Sequence, residues 1–216
     1  YMYGTSGSLA SNRTNTNNSA IKTYIDNWYK NNLSSYSKYI STEAVYCNDR
    51  ELAPGSTYST GNTSFSYATK ERLNTNKTPT YNCTNIKDAF SGSNSEAKLT
   101  YPIGLMTADE IAYAGGKEFT SLPSPYAWYY LNSAGGSITG STYWWSLSPF
   151  GWSGSYSTVW VVFGSSNPGY LSYIRANDTS YGVRPAISLK SCIKYSTGNG
   201  APETPYEIVL DPDISC

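Results

Sequence analysis

The chain has 216 residues, which suits one sizeable domain and is short for two. Charged residues make up only 14% and the formal net charge is zero, so the basic patch that binds nucleic acid or an anionic membrane is missing. No apolar run approaches the roughly 18 residues that span a bilayer. We therefore expect no nucleic-acid partner and no direct membrane insertion.

The first part of the chain predicts one clear helix. Residues 1–18 are polar and rich in Gly, Ser and Asn, which indicates a loose or extended N-terminal segment, whereas 19–216 is expected to be a single domain. Apolar residues recur at helical spacing from Ser19 to Asn31, and Ser19 is a suitable N-cap. Residues 33–40 could continue this helix after a break.

A loop-like region follows over 47–98, where Gly, Pro, Ser, Thr and Asn are frequent and a short helix is possible near Ala68–Leu73. An irregular stretch of this length inside one domain needs a restraint that ties it down. A disulfide bond is the restraint that the sequence offers.

The four cysteines indicate an oxidising compartment, and hence an extracellular or cell-surface protein. They are Cys47, Cys83, Cys192 and Cys216. Of the three possible pairings we favour Cys47–Cys83 with Cys192–Cys216, because each bridge closes a loop of a few tens of residues. Free buried thiols are the alternative. The sequence has no Cys-x-x-Cys motif and no His, so we expect no metal and no other cofactor.

The second part predicts one more helix and then a series of strands. Thr107 to Glu110 is a capping box that opens a helix, and Gly115-Gly116 ends it. Turn signals separate the apolar runs that predict strands, which cover 99–105, 143–147, 158–163, 169–175, 182–189 and 206–210. The sum is a loop-rich α+β fold with two helices and a small, mostly antiparallel, twisted sheet.

The segment from Phe119 to Leu189 contains no Lys and no Glu. Its 71 residues include 16 aromatic residues, and their only charged residues are Arg175, Asp178 and Arg184. Lys and Glu are almost never fully buried, so their absence indicates either core or a recognition surface. Tyr, Trp, Ser, Gly and Asn, which fill this segment, are the residues that antibody-like binding surfaces use.

The aromatic residues of this segment divide into two groups. Trp144, Trp145 and Trp160, like Trp28, lie on periodic apolar elements and are expected to pack inside. The others lie in or beside turns among Ser and Gly, where an exposed aromatic patch with a Ser/Asn rim is typical of a binding site. The candidate ligand-binding residues are Phe150, Trp152, Tyr156, Phe163, Ser165, Asn167, Tyr170, Tyr173, Asn177, Asp178 and Tyr181.

Several runs carry a family resemblance. They are YPIGLMTADEIAYAGG (101–116), YWWSLSP (143–149), VWVV (159–162) and YGVRPAISLKS (181–191). Together they resemble the formylglycine-generating-enzyme-like branch of the C-type-lectin-like fold. The runs IKTYIDNWYKNNLSSYSKYI (21–40) and YCNDREL (46–52) resemble secreted and prophage-associated proteins of gut Firmicutes that carry this domain.

The resemblance implies a non-enzymatic display domain. This branch includes the variable proteins of diversity-generating retroelements, whose rigid scaffold presents a hypervariable ligand-binding face near the C-terminus. We expect that face within 150–181, with a protein or glycan ligand on another cell or host surface, and display on a cell, phage or pilus. Retroelement mutagenesis changes adenines, chiefly in Asn codons, and such changes cannot produce Lys, Glu, Gln or Met. Phe150 to Tyr181 contains none of these four residues, in agreement with this mechanism.

Other functions have weaker support in the residues. A structural pilus-tip or cell-surface module without a small ligand is the first alternative. A formylglycine-generating oxidase depends on a cysteine pair in the C-terminal half of the domain, whereas no cysteine lies between Cys83 and Cys192. A Ca²⁺-dependent lectin needs clustered acids, but Asp178 is the only acid in 119–189. The absence of His excludes a Ser-His-Asp triad.

Overall fold

The computed structural model describes residues 1–123, 143–163, 167, 169–201, 204–211 and 213. They form a loop-rich α+β fold with few helices and a curled sheet, as expected. The helices are α1 (Leu9–Asn12), α2 (Ala20–Asn32), α3 (Ala68–Lys70) and α4 (Ala108–Tyr113), with 3-10 turns at Ser34–Tyr39 and Ser95–Ala97 and a π-helical turn at Glu71–Asn76. The strands are β1 (Met2–Tyr3), β2 (Asn17–Asn18), β3 (Tyr46–Cys47), β4 (Phe65–Ser66), β5 (Ala89–Phe90), β6 (Gly104–Leu105), β7 (Lys117–Glu118), β8 (Trp144–Trp152), β9 (Ser157–Val162), β10 (Tyr170–Arg175), β11 (Pro185–Ala186), β12 (Tyr195–Thr197) and β13 (Glu207–Ile208).

The main sheet has the strand order β4-β8-β9-β10-β7. Its strands pair antiparallel except for β7, which runs parallel to β10. The β8–β9 register shifts on both sides of Pro149, a residue that has no N–H to donate to a strand partner. Such bulges bend a strand, and the bent end of β8 continues to Trp152, where it pairs with Phe65 of β4.

Both faces of the sheet contribute to the core, because successive side chains in a strand point to opposite sides. One face, with Trp145 and Val161, packs in a cluster with Ile25 and Tyr29 of α2. The opposite face packs in a second cluster with α4; its members include Trp144, Trp160 and Leu171. The expected burial of these three sheet tryptophans is confirmed.

Helix α2 confirms the first predicted helix. The hydroxyl of Ser19 accepts a hydrogen bond from the backbone N–H of Lys22, so Ser19 is the N-cap. The apolar stripe is narrower than its spacing suggests: Ile25 and Tyr29 are buried, whereas Trp28 is 37% exposed. Trp28 lies at the margin of the stripe, beyond the arc of the helix that packs into the core.

Helix α4 confirms the second predicted helix and its capping box. The hydroxyl of Thr107 accepts the N–H of Glu110, and the Glu110 carboxylate accepts the N–H of Thr107. The chain leaves the helix through Gly115, whose φ of +101° favours glycine. Local sequence chemistry is therefore sufficient to define both ends of this helix.

The disulfide Cys47–Cys83 confirms the predicted restraint on the long loop region. Within that region the chain forms α3 and the following π-helical turn, close to the predicted short helix. Cys216 lies outside the described residues, so the second pairing is not tested. No free cysteine occurs among the residues that the structure describes.

The N-terminal segment differs from the expectation of a loose start. Residues 1–18 form β1, α1 and β2, and the two strands pair with each other. Arg13 is buried and lies 2.7 Å from Asp88, while Arg50 donates to the carbonyls of Met2 and Asn12. These partners come from distant parts of the sequence, and local composition does not reveal them.

Two of the predicted strands, 99–105 and 182–189, are shorter than expected. The run 99–105 contributes only β6, and the run 182–189 contributes only β11. These two strands pair with each other, with Pro185 opposite Leu105. Proline at this position limits the hydrogen-bond ladder, since it has no backbone N–H. In the described part of the chain, no helix is long and apolar enough to cross a membrane.

Candidate functional site

A continuous row of seven aromatic rings follows the sheet. In contact order its members are Tyr181, Tyr143, Phe163, Tyr170, Phe119, Tyr173 and Phe150, with successive centroids 3.8 to 6.3 Å apart. We call this set the aromatic row. Five of the seven were candidate residues from the sequence. Phe119 and Tyr143 were not, because they precede the 150–181 segment.

Phe119 allows the row to pass from one face of the sheet to the other. Tyr170 and Tyr173 lie on β10 three residues apart, so their side chains leave opposite faces. Directly after β7, Phe119 has a φ of +50°, an uncommon conformation for a residue with a side chain. Its N–H donates to the carbonyl of Leu171, and its ring contacts both tyrosines at the edge of the sheet.

At its Phe150 end the row opens into a groove of about 330 Å³. The rings of the groove belong to Phe65, Phe150, Trp152, Tyr156 and Tyr173. Its polar lining consists of serine and threonine hydroxyls and the ammonium group of Lys70. We call this space the aromatic groove.

Tyr173 and Phe150 form the centre of the groove. Their rings stack with centroids 3.9 Å apart, and Tyr173 is 44% exposed while Phe150 is only 7% exposed. The sequence placed Phe150 beside a turn. The strand instead continues past it to Trp152, and Phe150 becomes the buried support of an exposed ring.

The tight turn between β8 and β9 positions Trp152 and Tyr156. The indole N–H of Trp152 donates to the carbonyl of Gly61 over 2.7 Å, which fixes the orientation of its ring. The hydroxyl of Ser153 accepts the N–H of Tyr156. Gly154 has a φ of +91° and packs so closely against Asn62 that a side chain there would collide with its carbonyl.

Two cations lie against the rings of this region. The Nζ atom of Lys70 lies 5.1 Å from the centre of the Phe150 ring and donates to the hydroxyl of Ser66. The guanidinium of Arg175 lies 4.2 Å from the centre of the Tyr156 ring. Both distances fall within the range of cation–π attraction. Sequence inspection did not single out Lys70, since only the fold brings α3 next to β8.

The remaining candidate residues lie away from the groove. Phe163, Tyr170 and Tyr181 belong to the other end of the aromatic row. The carboxylate of Asp178 accepts the N–H of Ser180, so the Asn177-Asp178 pair forms an ordinary Asx turn.

The last two candidates add little to the site. The amide oxygen of Asn167 accepts a hydrogen bond from the hydroxyl of Ser121 over 3.0 Å, and neither residue lines the groove. Ser165 lies outside the described residues. The structure therefore brings four candidates together in the groove, namely Phe150, Trp152, Tyr156 and Tyr173.

A second cavity, of about 260 Å³, lies between the N-terminal segment and the sheet. Its lining includes Met2, Asn48, Arg50 and Trp145, and it shares no described residue with the candidate set. The guanidinium of Arg50 is fully engaged by Asp88 and by backbone carbonyls. This cavity is part of the packing that holds the N-terminal segment.

The carboxylates near α4 have structural partners. The guanidinium of Arg72 lies 2.8 Å from both Asp49 and Asp109, and Asp109 also accepts the N–H of Thr80. Burial raises the pKa of Asp49, although hydrogen bonding and the charge of Arg72 oppose this effect. Among the described residues, no group of three or more His, Cys, Asp or Glu side chains could hold a metal ion.

Comparisons with protein-family models, with curated proteins and with solved structures each return no significant match for this chain. The chemistry of the aromatic groove is thus the basis on which a function can be argued.

Proposed function

We propose that this chain is a non-enzymatic ligand-binding display domain and that its ligand binds in the aromatic groove. The observation that carries the proposal is the aromatic row, which ends in a groove with the partly exposed ring of Tyr173 at its centre. Contiguous exposed aromatic surface with a polar rim is typical of interaction sites. The partner would be a protein or a glycan on another cell or host surface.

Two rings of the groove are restrained by contacts within the protein, which favours binding. Trp152 is held by its hydrogen bond to Gly61, and Tyr173 is held by its stack on Phe150. A ligand that meets fixed rings does not have to order them, so less conformational entropy is lost on association. Tyr and Trp supply such contact area with few rotatable bonds.

The scaffold that we propose is the C-type-lectin-like fold in its formylglycine-generating-enzyme-like branch. The loop-rich α+β architecture with a curled sheet is consistent with it. In this proposal the chain is the variable protein of a diversity-generating retroelement, located outside the cell or on a cell, phage or pilus surface. The Cys47–Cys83 disulfide supports an oxidising location.

The leading alternative is a structural module without a small ligand. Such a module has no need for a contiguous aromatic surface, so the aromatic row favours the binding domain. An oxidase of the formylglycine-generating type would need a cysteine pair in the C-terminal half, and residues 84–191 contain no cysteine.

A binding screen tests the proposal directly. The whole chain would be applied to glycan and protein arrays, together with the variants Tyr173→Ala, Tyr156→Ala and Tyr170→Ala. We expect a ligand whose binding weakens about tenfold or more in Tyr173→Ala, because central aromatic contacts dominate interfaces. Tyr24→Ala is the matched control, since Tyr24 is 58% exposed on α2 and does not line the groove. Equal binding by all variants would place the site elsewhere.

The retroelement part of the proposal has a separate genomic test. It requires a near-repeat of the DNA encoding residues 150–181, differing at adenines, beside a reverse-transcriptase gene. A gene without such a repeat or transcriptase nearby would contradict the retroelement part of the proposal. The binding function would still be tested by the array.

A further inference from the structure

Among the described residues, Lys70 is a cation in the aromatic groove that forms no ion pair. Its ammonium contacts the face of Phe150 and the hydroxyl of Ser66, and no carboxylate of the described residues forms an ion pair with it. The described lining of the groove contains no Asp and no Glu. The charged group in the described lining is therefore the cation of Lys70.

Several cations elsewhere in the described chain have such partners, although the partly buried Lys87 and Lys190 form no ion pair among the described residues. Lys22 pairs with Asp26, and Arg72 is shared between Asp49 and Asp109. Lys70 is likewise partly buried, yet only a hydroxyl and a ring face it. A partly desolvated ammonium gains from an anion that completes its contacts.

Arg175 adds a second positive charge next to Tyr156, one of the rings that line the groove. Its guanidinium lies over the ring of Tyr156, and it too has no ion pair among the described residues. Two cations thus flank a set of aromatic rings. This charge pattern is complementary to a ligand that carries a negative group at one end of an apolar face.

The uncharged chemistry of the groove suits a sugar ring. Tyr173 is 44% exposed, so part of its ring is accessible to the C–H groups of a pyranose, which are attracted to the electron-rich face of an aromatic ring. A serine hydroxyl such as that of Ser64 both donates and accepts, as sugar hydroxyls require.

A peptide strand is less suited to the same place. The groove lies beside the edge strand β4, where the N–H of Ser66 donates to the hydroxyl of Ser56 and its carbonyl accepts the N–H of Ala53. Recognition by strand addition needs a free sheet edge with unpaired N–H and C=O groups. A ligand that contacts ring faces and hydroxyls does not need such an edge.

We infer that the aromatic groove binds an acidic carbohydrate, whose carboxylate is held by Lys70 while a sugar ring of the same oligosaccharide packs against Tyr173. This inference rests on the proposed binding function and specifies its ligand class. Uronic acids and N-acetylneuraminic acid have the required chemistry, a carboxylate attached directly to a pyranose ring.

The test compares matched acidic and neutral glycans on the intact chain. An array would carry oligosaccharides ending in glucuronic acid, galacturonic acid or N-acetylneuraminic acid beside the same chains ending in a neutral sugar, and the best pair would be titrated by calorimetry. We expect the acidic member to bind about tenfold or more tightly, since hydrogen bonds to charged groups are stronger than neutral ones. The preference should decrease as the ionic strength rises.

Three lysine variants test whether Lys70 causes the preference for acidic over neutral glycans. Lys70→Met keeps the side-chain length in α3 and should abolish the discrimination between acidic and neutral glycans, whereas Lys70→Arg should retain most of it. Lys30→Met removes the same charge from the exposed surface of α2 and should leave binding unchanged. Circular dichroism would establish that each variant is folded.

The outcomes separate the ligand class from the binding function. Equal affinity for both members of a pair, or no effect of Lys70→Met, overturns the acidic carbohydrate while Tyr173-dependent binding preserves the site. Tyr173-dependent binding of acidic peptides alone also overturns it, in favour of a protein partner. No Tyr173-dependent binding of any arrayed glycan or protein overturns both proposals.

Discussion

The described chain contains two regions that are stabilised in different ways. In residues 1–118, buried charges from distant segments meet: Asp88 is 1% exposed and lies between Arg13 and Arg50. In residues 143–189, the stabilising contacts are mainly hydrogen bonds between strands and contacts between aromatic rings. Buried charges must be paired, so the first region uses its charged groups internally. Aromatic rings can support the core on one face and remain accessible on the other, as Phe150 and Tyr173 do.

The largest effect should come from removing the centre of the buried charge cluster. Asp88→Ala leaves Arg13 and Arg50 without their main carboxylate partner, and we expect a loss of about 3–5 kcal/mol in the free energy of unfolding, measured with urea. Glu51→Gln is the control, because Glu51 pairs with the same Arg13 but its side chain is 41% exposed. It should cost less than about 1 kcal/mol. Similar losses in both variants would mean that burial does not distinguish the two pairs.

Removing the disulfide should cost slightly less. The bond joins residues 36 apart, and the chain-entropy relation gives about 4 kcal/mol at most for such a loop, so we expect about 3–4 kcal/mol for the Cys47→Ser/Cys83→Ser double variant in urea unfolding. Hydrogen exchange should show the first openings in the 47–98 region, before β9 and β10. Simultaneous loss of protection in both regions would contradict the separation of the two.

The two regions also differ in how far the sequence predicts them. Caps and cysteine spacing are local or pairwise signals, and the helix starts at Ser19 and Thr107 and the Cys47–Cys83 bond were predicted correctly. The ordered N-terminal segment was not, because it depends on a pairing between Arg13 and Asp88, 75 residues apart.

The aromatic groove shows the same limit, because it too depends on contacts between residues that are distant in the sequence. Composition alone placed Trp152, Tyr156 and Tyr173 in one candidate face, and they do line one groove. Phe150 was assigned to that face as an exposed residue, but the continuation of β8 buries it. Lys70 reaches the groove from another element, and Phe119 depends on a positive φ that a single sequence does not indicate.

High pH should weaken the first region through its buried phenols. Burial is the main cause that raises the pKa of Tyr67 to about 12. The unfolded chain loses this proton near pH 10 and the folded chain near pH 12, so the stability present below pH 10 is lost as the pH rises through this window. Tyr67→Phe should remove about 2–3 kcal/mol of that loss.

Urea unfolding at pH 7, 10 and 11.5 would measure the difference. At pH 7 the variant and the wild type should agree within about 1 kcal/mol, since Tyr67 makes no hydrogen bond through its hydroxyl among the described contacts. Tyr46 is a poorer choice, because its hydroxyl donates to the carbonyl of Pro102. Parallel pH profiles for wild type and Tyr67→Phe would show that burial of Tyr67 does not couple stability to pH.

The smallest effect on stability should come from Tyr173, although it is central to the proposed site. Its ring is 44% exposed and rests on Phe150, so Tyr173→Ala should cost about 1–2 kcal/mol in urea unfolding, and Tyr24→Ala about 1 kcal/mol or less. Binding should respond in the opposite order, with a large loss for Tyr173→Ala alone. A residue whose removal changes binding but hardly changes stability belongs to a recognition surface. If Tyr173→Ala unfolds the protein, the ring belongs to the core, and the missing Lys and Glu of this region reflect burial rather than binding.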